Sequence, residues 1–191
     1  MTTTLQAPDL CTSWDEGLSF GQFVAEATTA SDLWAGVYRQ ARIPEWARDR
    51  AAAAAPLKLL VLAEDWCNDA VSTVPVLARL AAEVPGVELR ILRRDEHPEL
   101  MDQYLSGGAR AIPIVILLDS ACQEIGHWGS RPAALQEWVM AHRELDKPAR
   151  NLEVRKWYAR DRGESVLREV LDVAGGSPEL RCAGRAGDDR P

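Results

Sequence analysis

Leu57-Lys-Leu-Leu-Val-Leu-Ala63 leads into Glu64-Asp65-Trp66-Cys67-Asn68-Asp69, and that hexapeptide leads into an apolar-faced run from Ala70 to Glu83. The first seven residues are a short apolar run bounded by charge, the pattern of a strand buried on both faces. Val74, Val76, Leu77, Leu80 and Ala81 give the later run a helical stripe, with Pro75 expected to kink it or to mark its first turns. Strand, turn and helix in this order set Trp66 and Cys67 at the N-terminal end of a helix. Unpaired backbone N–H groups and the helix dipole both favour a thiolate at that position.

Reading outward, Val87 to Leu92 forms a second strand that ends at Arg93-Arg94-Asp95, and Pro98 to Leu105 a short helix before the Gly107-Gly108 loop. Ile112 to Leu118 is a third strand opened by Pro113, Asp119-Ser120 a hairpin turn, and Glu124 to Trp128 a fourth strand closed by Gly129. Pro132 to Glu144 is an amphipathic helix through Leu135, Trp138 and Val139. A helical crossover makes the first two strands parallel, and the hairpin adds antiparallel ones. The expected fold is α/β: a small mixed β-sheet with helices on both faces, over residues 56–147. The third strand then starts at the pole where the first one ends, beside Cys67. Proline at a strand start has no N–H to lose, and Ile112-Pro113 is a bond that can be cis.

Helical extensions flank this domain. Residues 16–55 carry Leu18, Phe20, Phe23, Val24, Leu33, Trp34, Val37 and Tyr38 at helical spacing, with Ser31 as a candidate N-cap and Pro44 in the first turn of a further helix. Residues 148–175 repeat the pattern, with Arg162-Gly163 as a candidate break. Residues 1–15 read as a flexible lead and 176–191 as a disordered, charged tail.

Acidic side chains outnumber basic ones, 29 against 22, for a net charge of −7 over 191 residues. Nucleic acids and anionic membranes both demand a positive field, so neither is an expected partner. No apolar run approaches the ~20 residues of a membrane helix, and no signal peptide is visible, so the expected compartment is the cytoplasm. The four cysteines, at 11, 67, 122 and 182, are too scattered for a metal cluster or a C-x-x-C pair, so no metal is expected. Cys122 follows the hairpin turn at the pole away from Cys67, about 20 Å distant at 3.3 Å per strand residue, too far to bridge it.

Trp66-Cys67-x-x-Ala70 and Ile112-Pro113 together resemble the thioredoxin superfamily, standing where that family has Trp-Cys-x-x-Cys and its cis-proline. Asp95 with Pro98, then Tyr104, Arg110 and Gly129, are similar to the family's residues in the same order. Glu64 to Cys67 and Trp128 to Pro132 resemble the Glu-Asp-Trp-Cys and Trp-Gly-x-Arg-Pro motifs of a bacterial thioredoxin-like subfamily. The resemblance implies a thioredoxin fold over roughly residues 57–145, a nucleophilic Cys67, and substrate contacts at Trp66, Ile112, Pro113 and Gly129. Two departures bear on activity. Ala70 replaces the second thiol, and Val61 stands where the family has a buried acid.

The residues around Cys67 have competing readings. Asn68 and Asp69 fill the middle of the motif, and an Asp69 carboxylate facing the sulfur would oppose a thiolate. Arg93 and Arg94 either favour the thiolate or hold a thiol's carboxylates, or they simply pair with Asp95, Glu64 or Asp65. His127 is a base candidate or an ordinary strand-surface histidine. Two functions follow, the first expected and the second its alternative. One is monothiol exchange at Cys67 on a protein or small-molecule disulfide, with no cofactor beyond an external thiol such as glutathione. The other is a redox-inactive binding module using the cis-proline groove. A peroxidase ranks below both, since no Pro-x-x-x-Thr/Ser-x-x-Cys run precedes Cys67. A clearly depressed Cys67 pKa favours the enzyme, and one near that of free cysteine, about 8.5, favours the module.

Overall fold

Apolar composition puts β1 (Leu57–Ala63) in the middle of the sheet: every residue of it except Lys58 is buried. The computed structural model describes residues 9–176. Among these the strand order is β2-β1-β3-β4, with β2 at Val87–Arg93, β3 at Ile114–Leu118 and β4 at Glu124–Gly129. β2 is parallel to β1, from Leu57 opposite Val87 to Ala63 opposite Arg93. β3 is antiparallel, with Leu62 opposite Ile114 and Lys58 opposite Leu118. The mixed α/β architecture is the expected one. The third strand pairs only from Ile114, so Ile112 and Pro113 stand outside the ladder at the pole where β1 ends.

Helices cover both faces because a strand buried on both sides needs them. α1 (Leu10–Glu16), α2 (Phe20–Glu26), α3 (Ser31–Gln40) and α4 (Glu45–Ala54) precede the sheet; α5 (Asn68–Glu83) and α6 (Pro98–Met101) lie within it; α7 (Ala133–Ala141), α8 (Lys147–Asp161) and α9 (Glu164–Ala174) follow. α5 runs on through Pro75. Arg162 and Gly163, both with positive φ, break α8 from α9 at the expected place, and a Cβ on Gly163 would stand 2.7 Å from Val76. No helix among the described residues is long and apolar enough to cross a membrane.

Two local readings are corrected. The lead expected over residues 1–15 is helical from Leu10, because Asp9 caps α1 through Cys11 N (3.1 Å) and Trp14 is buried with the Lys58 and Arg90 cations over its ring. Residues 1–8 and the tail from 177 lie outside the described residues. Ser31 opens α3 instead of capping it, and Ala30 takes the cap position with φ +56°.

The N-terminal helices and α9 share one apolar core with the sheet, while α7 and α8 pack on each other through Leu135, Val154 and Tyr158 in a smaller cluster. Phe23 and Trp34 are fully buried and meet edge to face at 4.9 Å, and Val166, Leu167, Val170, Leu171 and Val173 of α9 close the same cluster. Leu18 pairs with Ile91 through two 2.8 Å hydrogen bonds, covering part of the outer edge of β2.

Asp65 fastens the extension to the turn before Cys67. Its carboxylate accepts from Thr28 N (2.7 Å), Thr29 N (3.1 Å) and Thr28 Oγ1 (3.2 Å), and its carbonyl accepts from Trp34 Nε1 at 3.0 Å. Burial works against the charged carboxylate, but these donors outweigh it and hold the Asp65 pKa below its usual value. Asp65→Ala should cost about 2 kcal/mol in urea unfolding at neutral pH, since it removes the charge-assisted hydrogen bonds that hold Thr28 and Thr29 to the turn. Because the folded pKa is the lower one, Asp65's contribution is complete above the unfolded value and is lost as pH falls through the folded one. The stability gap between wild type and Asp65→Ala should therefore shrink in acid.

Candidate functional site

β1 delivers the chain to a tight turn in which Cys67 N donates to Glu64 O at 3.1 Å, and Cys67 becomes the N-cap of α5. Its Sγ accepts from Ala70 N at 3.5 Å and donates to Ile112 O at 3.4 Å. The Ile112–Pro113 peptide bond is cis. The sulfur is thus hydrogen-bonded to both features that the sequence places at this pole. Cys67 is only 9% exposed, and Ala70 is fully buried where a Cys-x-x-Cys motif would carry its second thiol.

Burial is the largest influence on the Cys67 thiol and pushes its pKa up. The Ala70 N–H pulls the other way, the Asp69 carboxylate adds to the rise, and the Arg131 guanidinium opposes it. The net direction is upward.

Asp69, itself buried, is held by groups from two distant elements. Arg131 reaches it with Nη2 at 2.6 Å and Nε at 3.2 Å, and the Tyr158 hydroxyl donates to it at 2.8 Å. Arg131 Nη1 donates to Gln136 Oε1 at 2.9 Å, which anchors the guanidinium to α7. Burial first, and then the Asp69 charge, drive the Tyr158 phenol pKa upward, so Tyr158 stays a donor. A carboxylate two residues from the sulfur is thereby neutralised inside the protein.

Trp66 is half exposed, with the Arg94 guanidinium 5.0 Å from its ring centroid. Arg94 is fixed in turn by Asp95 at 2.7 Å and by Arg110 O at 3.1 Å. Arg93 turns to the N-terminal extension, 5.0 Å over Phe23 and 3.6 Å from Glu26. Glu64 is buried and accepts from Asp95 N at 2.9 Å; burial raises its pKa. Asn68 is exposed, its carbonyl accepting from Ser72 Oγ. His127 bonds to Glu124 at 3.1 Å and meets Tyr104 edge on at 4.9 Å, pairing with Ile116 in mid-sheet.

Gly129 closes the floor. Its φ is +152°, and a Cβ there would come within 2.3 Å of Pro113 O. Only glycine lets β4 pass so close to the proline segment. The structure therefore gathers Trp66, Cys67, Asp69, Ala70, Ile112, Pro113 and Gly129 at one pole, while Arg93 and His127 face other partners. Sequence reasoning missed the working roles of Arg131 and Tyr158. Arg131 had a signal in the Trp128-to-Pro132 motif; Tyr158 had none, since 89 residues separate it from Asp69. Among the described residues no group of three or more His, Cys, Asp or Glu could hold a metal ion. A cleft of about 650 Å³, lined by Leu18, Phe20, Ala78 and Arg90 among others, opens away from Cys67.

Arg131→Met should lower stability by about 3 kcal/mol in chemical denaturation, because it leaves the buried Asp69 charge uncompensated. It should also raise the pH midpoint of Cys67 alkylation. Gly129→Ala should cost a similar ~3 kcal/mol, from strained backbone and overpacking against Pro113.

The family model described as thioredoxin matches residues 17–150. No curated protein matches the chain. Among solved structures, a protein of unknown function from Pseudomonas aeruginosa is similar at 22% identity with a TM-score of 0.72, over 89% of this chain and 99% of that one. An HIV epitope-scaffold protein is similar at 21% identity, with the same TM-score of 0.72 and the same coverage of 89% and 99%. At such identities the two structures bear on the fold alone.

Proposed function

Since the chain belongs to the thioredoxin family, we propose that it serves as a redox-silent binding module of that fold, holding an extended peptide of a partner protein at the Trp66–Pro113 pole while Cys67 remains a protonated thiol. The observation that carries this reading is the placement of the sulfur, buried and donating its proton to Ile112 O. A nucleophilic cysteine needs the opposite surroundings, electropositive and open to its substrate.

Three further features support it. Ala70 supplies no resolving thiol, and the other cysteines among the described residues, Cys11 and Cys122, stand at the far end of the sheet. Ile112 lies outside the strand ladder, so its backbone groups are not taken by a neighbouring strand. Trp66 offers a large half-exposed ring braced by Arg94, the kind of amphipathic surface that anchors an interface.

One observation favours the second reading, monothiol exchange. The Ala70 N–H and the Arg131 charge both draw the thiol toward its anion. In that chemistry the Cys67 thiolate attacks a mixed disulfide, the protein thiolate leaves and is protonated, and an external thiol such as glutathione then displaces Cys67, which leaves as the thiolate.

Alkylation of Cys67 followed against pH by peptide mass spectrometry, with glutathione as the reference thiol, separates the two. The module predicts slow modification with a midpoint at or above that of a free cysteine, about 8.5. It also predicts that Cys67→Ser keeps partner capture while Trp66→Ala loses it. A midpoint well below that of glutathione, with release of glutathione from a glutathionylated protein that Cys67→Ser abolishes, overturns it in favour of exchange.

A further inference from the structure

Two further cysteines, Cys11 and Cys122, come together at the pole opposite Cys67. Cys122 follows the turn between β3 and β4, and that turn is built tightly: Asp119 Oδ1 accepts from Ala121 N and Gln123 N, both at 2.8 Å, and Cys122 N donates to Asp119 O at 3.1 Å. The Cys122 side chain is buried, and its Sγ stands 3.3 Å from Lys58 Nζ, whose ammonium also donates to Ser120 O at 3.3 Å. Cys11, exposed on α1, reaches across to the same turn, its Sγ 3.6 Å from Ala121 O. Ala121 is the residue just before Cys122, so this contact brings the Cys11 thiol close to Cys122, whose sulfur is the largest influence pushing the Cys11 pKa up to about 11. Burial and the Asp9 carboxylate add to the rise, and Lys58 opposes it. Two sulfurs from residues far apart in sequence and one cation thus share a single small site. None of this contributes to the Cys67 pole.

We propose that Cys11 and Cys122 are a redox-active dithiol that low-molecular-weight disulfides convert to an intramolecular disulfide, independent of Cys67. A reagent R–S–S–R meets the exposed Cys11 first. Cys11 first gives up its proton, which its raised pKa makes the slow step at neutral pH; the thiolate bonds to one sulfur of the reagent, the reagent's S–S bond breaks, and RS⁻ departs and takes up that proton. Cys122 then attacks the Cys11 sulfur, a Cys11–Cys122 bond forms, and the second RS⁻ leaves with the Cys122 proton. Two thiols have been oxidised and one R–S–S–R reduced to two RSH, so atoms, protons and electrons balance. Lys58 stabilises the Cys122 thiolate that forms before the attack. The product clamps α1 to the β3–β4 turn, and excess thiol reverses it.

The test uses the full wild-type chain. The protein is equilibrated in mixtures of glutathione and glutathione disulfide, the remaining thiols are blocked, and the monomer band of a non-reducing gel is digested and mapped by mass spectrometry. A peptide pair joined through Cys11 and Cys122, lighter by two hydrogens, should grow with the share of glutathione disulfide and vanish with dithiothreitol. Cys11→Ser should abolish the pair and leave Cys122 open to blocking. Lys58→Met should slow formation about fivefold, the loss of one charge-assisted contact. The proposal is overturned if both cysteines are recovered as blocked thiols or as separate glutathione adducts, or if either is joined to Cys67 or Cys182 instead. An unchanged rate in Lys58→Met overturns the part assigned to the lysine.

Discussion

The central strand has no solvent face, and most of the architecture answers that fact. A strand as apolar as Leu57–Ala63 must be flanked by other strands and roofed on both sides, and α5 alone cannot cover both faces of a four-stranded sheet. The flanking segments supply what is missing. α3 brings the fully buried Trp34, and α9 brings an apolar face from Val166 to Val173. Once these helices are committed to the core, their polar groups are committed to fixed positions too. That is how residues remote in sequence come to bear on Cys67.

The charges near the sulfur follow from this packing. Asp69 is forced inward by its place in the first turn of α5, and a buried carboxylate needs compensation. Arg131 and Tyr158 provide it. Glu169 of α9 accepts from Trp128 Nε1 at 2.6 Å and from Ala133 N at 2.9 Å, and so steadies the loop that carries Arg131. The Arg131 charge offsets part of Asp69's influence on the sulfur, yet desolvation remains the largest influence. The site has the position of a reactive cysteine and the surroundings of a structural one.

Much of the fold was legible because its signals are local. An apolar heptapeptide, a proline at a strand start, a glycine after the last strand and helical stripes on either side each fix their own element, and their order fixes the topology. The ends were harder. Trp14 in a polar segment gave no periodicity to read, and its burial depends on Lys58 and Arg90, which belong to other strands. The sulfur's neighbours were half legible for the same reason. Ile112 and Ala70 follow from strand poles and helix spacing, whereas the Tyr158 contact exists only because α8 folds back over α5. His127 shows the opposite failure: its place in the alternation of β4 was readable, but its partners, Glu124 and Tyr104, are set by side chains that no spacing announces.

The hydroxyl of Tyr158 makes the C-terminal helices a component of the site instead of an appendage. A fragment cut to the strands and helices of the central domain would keep Cys67, the cis peptide and Gly129, and would still look complete on paper. It would leave Asp69 short of a donor, Trp128 short of its acceptor and part of the sheet uncovered. The unit that can be moved, fused or inherited as one piece is therefore larger than the strands and helices that define the fold, and it reaches at least from Trp14 to Val173.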